Sequence, residues 1–98
     1  MKIEEDILKF NSKYDQTQYE NDEITLIELA YLCKKWALKR NFRIMSYSDT
    51  NFGISYLFKE DISLRLSQEK CINEILENTE ELSIICMTQW LYFSLNGF

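Results

Sequence analysis

The chain of 98 residues has no histidine, no proline and only two glycines. Without histidine, the commonest general acid–base group and the commonest metal ligand are both missing. Gly53 and Gly97 stand alone, so neither belongs to a loop that cradles phosphate. The three cysteines, Cys33, Cys71 and Cys86, are odd in number and widely spaced. They offer no C-x-x-C pair for zinc or redox chemistry and no disulfide framework. None has an obvious base beside it in sequence, as a thiolate nucleophile would need. The expectation is three reduced, buried thiols, no catalytic residue, no metal and no cofactor. The segment from Asp49 to Glu60 matches a calcium loop at Asp49, Asn51 and Glu60, but the required sixth-position glycine is Ile54, so the match reads as chance.

Charge is scarce at the end of the chain. From Leu82 onward no side chain is ionisable to a full charge at neutral pH. The stretch is apolar in every direction of a helical wheel, yet shorter than the about 20 residues of a bilayer span and without basic flanks. The N-terminus begins with three carboxylates in its first six residues and no apolar core, unlike a secretory leader. A cytoplasmic protein with no membrane contact is expected.

What is present is a hydrophobic share of 46%, with six Tyr, six Phe and two Trp, too much for a disordered chain. The formal net charge is −5. It is unevenly placed, with net −5 over residues 1–28, five bases and no acid over 34–43, and net −5 again over 60–81. An acidic protein of this size is repelled by nucleic acid and anionic lipid and attracted to basic proteins. With no repeat or low-complexity tract, the chain reads as a single domain, 1–98, in which 11–23 is a polar loop.

Hydrophobic periodicity predicts an α+β fold. Ile3, Ile7 and Phe10 have helical spacing, and the acids between Ile3 and Ile7 suit a first turn. Thr25 and Glu28 have the spacing of a capping box that opens a long helix reaching Arg40. Its apolar arc exceeds half the circumference, so cover is needed on more than one side. Alternation then predicts strands over Phe42–Ser48 and Ile54–Phe58, and a third over Ile62–Leu66, as an antiparallel three-stranded meander. Ser67 opens a further helix with Cys71, Ile72, Ile75 and Leu76 facing inward. Asn78 and Glu81 suggest a kink or restart, giving one long kinked or two consecutive C-terminal helices, with Gly97 closing the last.

Three candidate surfaces follow. In a helix, Glu74, Glu77 and Glu81 form one carboxylate ridge whose like charges repel unless something basic answers them. With Tyr47, Asp49 and Phe52 of the hairpin they make a candidate surface for a basic, nucleic-acid-handling protein. That surface implies a stoichiometric inhibitor, immunity or anti-defence module. Met87, Trp90, Phe93 and Leu95 on the all-apolar helix are candidates for homodimer formation, because one small sheet cannot cover two such helices. The alternative function is a winged-helix-like regulator that binds nucleic acid through Lys34, Lys35, Lys39, Arg40 and Arg43.

Overall fold

A computed structural model describes residues 25–59 and 70–97. Two helices cover one face of a three-stranded antiparallel sheet. In chain order the elements are α1 (Leu26–Lys39), β1 (Phe42–Ser48), β2 (Gly53–Lys59), β3 (Asn73–Glu77) and α2 (Glu80–Asn96), and the sheet runs β1-β2-β3. The N-terminal helix over Ile3–Phe10, the loop 11–23 and the strand over Ile62–Leu66 lie outside the described residues.

α1 starts where its cap dictates. Thr25 has extended backbone angles and its hydroxyl accepts from the Glu28 amide at 3.2 Å, satisfying one of the free donors of the first turn. The helix stops at Arg40, and Asn41 reverses the chain at a φ of 67°. Asparagine tolerates this left-handed geometry better than most side chains. The turn is held by the Arg40 and Asn41 amides donating to the Ala37 and Leu38 carbonyls, both at 3.0 Å.

In β1 the predicted alternation holds. Ile44 is buried between the half-buried Phe42 and Ser46, while Arg43, Met45 and Tyr47 turn outward. In β2 the inward residues are Gly53, Ser55 and Leu57, and Ile54, Tyr56 and Phe58 face away from the helices. Small residues on the covered face let a helix pack close. A Cβ on Gly53 would collide with the Thr79 carbonyl carbon and with the Glu80 amide nitrogen and Cα.

One expected helix is corrected. Residues 73–77 form an edge strand paired antiparallel to β2, with Ser55 opposite Ile75 and Tyr56 opposite Glu74. Ile75 is half-buried on the helix side, while Ile72 and Leu76 stand exposed. Cys71 is also exposed, its thiol directed to the Asn73 carbonyl, so it is not a buried thiol; Cys33 is buried and Cys86 half-buried. The helix begins only after this strand. Its cap is Thr79, whose hydroxyl accepts from the Leu82 amide at 3.2 Å, rather than Asn78.

The all-apolar helix is explained by burial on several sides. α2 packs on all three strands and on α1, and α1 also covers β1. Leu82, Ile84, Ile85, Met87 and Leu91 join Leu29, Cys33, Trp36, Ala37, Ile44 and Leu57 in one core. Ser83 and Thr88 are buried among them and donate back to the Glu80 and Ile84 carbonyls at 2.7 and 2.8 Å. With the Ser83 proton so used, the 2.7 Å contact between Ser55 and Ser83 has Ser55 as donor. No described helix is long and apolar enough to cross a membrane.

Candidate protein-binding surface

The β1–β2 hairpin and the start of α2 meet at one end of the sheet. The connecting turn is closed by the Asp49 amide donating to the Phe52 carbonyl at 2.8 Å. The Asp49 carboxylate accepts from the Thr50 amide at 2.6 Å and from the Thr50 hydroxyl at 3.2 Å, which holds it at the tip. Because Gly53 admits the Thr79–Glu80 backbone directly above it, the first turn of α2 lies against this tip. The result is an open concavity of about 330 Å³ between hairpin and helix, with Asp49 and Phe52 on one wall and Asn78, Glu80 and Glu81 on the other.

Of the expected partner-binding residues, Asp49, Phe52 and Glu81 thus come together. Tyr47 lies at the same end on the outward face of the sheet, where Tyr47, Ile54 and Leu76 share one cross-strand row. Tyr47 is 52% exposed and Leu76 61% on that face, while Phe52, 37% exposed, lines the concavity itself. Tyr47 also meets Tyr56 edge to face, with centroids 6.0 Å apart.

The carboxylate ridge does not form. In a strand, residues three apart face opposite ways, so Glu74 points outward opposite Tyr56 while Glu77 lies opposite Gly53 on the helix side. Glu80 and Glu81 replace it as the acidic wall, in the helix turn where the macrodipole favours negative charge. Sequence reasoning missed Asn78 and Thr79 in this wall. The available signal was Thr79 three residues before Leu82, an N-cap placed directly ahead of two acids.

The basic segment makes aromatic contacts. Arg40 lies 3.8 Å from the centroid of the buried Trp36 ring and donates to the Trp36 carbonyl at 3.2 Å. Arg43 lies 5.0 Å from the Phe58 centroid, and Lys35 lies 5.2 Å from that of Tyr31. Among the described residues, Lys34, Lys35 and Lys39 form no ion pair with a carboxylate. On α2, Met87 is buried and Trp90 half-buried against the core, whereas Phe93 and Leu95 are 41% and 48% exposed. A self-association surface on this helix would therefore rest on its last turns, without Met87.

Asp49 and Asn51 lie in the hairpin turn and residues 54–59 in β2, so this segment is not a calcium loop. Among the described residues, no three His, Cys, Asp or Glu side chains gather as metal ligands would. No family model, curated protein or solved structure matches the chain.

Proposed function

We propose that this protein acts by binding another protein stoichiometrically, not by catalysis, as a small acidic module of inhibitor, immunity or anti-defence type. The observation that supports this reading is the hairpin end, where Phe52 lines the concavity of Asp49, Glu80 and Glu81 and Tyr47 and Leu76 stand exposed on the other face of the same end of the sheet. Exposed aromatics next to charge are the usual anchors of an interface, while rim carboxylates speed the approach of a basic partner. The partner is a basic protein surface, of the kind presented by proteins that handle nucleic acid.

The test is capture from a lysate of the source cells, after which the retained protein is purified and titrated. Asp49→Lys, Glu80→Lys and Glu81→Lys together should weaken binding roughly tenfold or more and flatten its salt dependence. Tyr47→Ala with Phe52→Ala should speed dissociation. Retention of free DNA or RNA instead, or an unchanged affinity in the triple reversal, would sink the proposal.

The second reading is a nucleic-acid-binding regulator using Lys34, Lys35, Lys39, Arg40 and Arg43. In its favour, the three lysines meet no described carboxylate. Against it, they alternate with exposed Ile27, Tyr31 and Leu38, a surface a phosphate backbone does not match, in a chain of net charge −5.

A further inference from the structure

α1 has a second surface, on the side turned away from the core. Ile27, Tyr31 and Leu38 are 70%, 62% and 48% exposed, on a helix whose Leu29, Cys33 and Trp36 face inward. Their spacings of four and seven residues put them on one stripe with Lys34. A single exposed leucine needs no explanation, but a stripe with this spacing is the seam by which helices pair. Beside it a groove of about 180 Å³ opens between α1 and the first turns of α2, lined by Ile27, Ala30, Tyr31 and Lys34 of α1 and Glu81 and Ile84 of α2.

The flank of this stripe, about 100° round the helix, is polarised along the helix. Glu28 lies in the first turn of α1, with Glu80 and Glu81 near Ile27 across the groove, while Lys34, Lys35 and Lys39 occupy the second half. A uniformly basic partner would be repelled at the lysine end, and a uniformly acidic one at the glutamate end. A partner that satisfies both must carry the same acid-to-base polarity and lie antiparallel. A second copy of this chain has that polarity by construction.

We infer that α1 pairs with α1 of a second copy in an antiparallel, two-fold symmetric contact. Leu38 of the second copy enters the groove beside Ile27. That register sets Tyr31 against the Lys34 ammonium of the second copy, where the ring face attracts it. It also brings Lys35 and Lys39 of the second copy alongside Glu28. The two-fold axis repeats each contact, so Lys35 and Lys39 of each copy lie alongside Glu28 of the other. The helix is about 21 Å long, so the contact is small and dissociation falls roughly in the micromolar range. This association shares Glu80 and Glu81 with the hairpin concavity, but it does not depend on partner binding there.

Sedimentation velocity on the full chain, from roughly 1 to 100 micromolar, tests the inference. The expected result is a reversible monomer–dimer equilibrium that weakens as salt is raised. Leu38→Glu, at an exposed position, should leave the circular dichroism spectrum and melting intact and weaken the dimer roughly tenfold or more. Lys39→Glu should weaken it, and adding Glu28→Lys to that variant should restore it, because the swapped charges meet again across the two-fold axis. A monomer throughout the range overturns the inference, as does a dimer indifferent to Leu38→Glu or a charge swap that fails to rescue. If Phe93→Ser with Leu95→Ser dissolves such a dimer, the end of α2 is the interface instead.

Discussion

Replacing Gly53 with alanine tests how α2 is seated on the hairpin. Gly53 is buried at the start of β2, opposite Ser48 on one side and Glu77 on the other. The atoms an added Cβ would strike belong to the backbone of Thr79 and Glu80, which cannot rotate aside as a side chain would. The opening of α2 must lift from the sheet, and overpacking of this kind costs about 3 kcal/mol. Exchanging glycine for alanine in a strand recovers about 0.5–1 kcal/mol of backbone entropy. The net destabilisation is then about 2 kcal/mol, a fall in Tm of roughly 10 °C for a domain of this size. Thermal unfolding followed by circular dichroism reads it directly. A variant that melts at or above the wild-type temperature would refute the close approach and, with it, the construction of the acidic concavity.

The buried hydroxyls should differ in consequence. Among the described residues Ser46 Oγ is buried and meets no hydrogen-bond partner, so Ser46→Ala should be neutral or stabilise by up to about 1 kcal/mol in urea unfolding. Ser83→Ala removes the bonds to the Glu80 carbonyl and Ser55, and should cost about 1–2 kcal/mol in the same assay. At the end of α1, Asn41→Gly should change stability little. Asn41→Val should cost about 1–2 kcal/mol, since a β-branched residue resists the positive φ.

Much of the fold was legible where a local rule and the tertiary demand agreed. Thr25 before an apolar run marks the start of α1, and the alternation from Phe42 to Ser48 marks β1, because the same face must meet the helices. Residues 73–77 were not legible. Asn-Glu-Ile-Leu-Glu is rich in helix formers, and Ile72 and Leu76 have helical spacing, yet the open edge of β2 supplies hydrogen bonds that override such preferences. That substitution splits Glu74 from Glu77 and dissolves the ridge. The closing helix raised a different difficulty. Its apolar residues reveal that cover is needed everywhere but not whether a sheet, α1 or another molecule supplies it. The hairpin site was half legible, because Tyr47, Asp49 and Phe52 have the composition of a contact surface. Their meeting with Glu80 and Glu81 depends on Gly53 admitting another segment's backbone, which no local pattern announces.

The most direct test of the proposed binding surface is amide hydrogen exchange on this protein, free and in complex with the protein it captures. The hairpin reading predicts new protection at the amides of residues 47–53 and 78–81, with the amides of residues 34–39 unaltered at equal self-association. Protection confined to 34–39, or none at the hairpin end in a saturated complex, would contradict it.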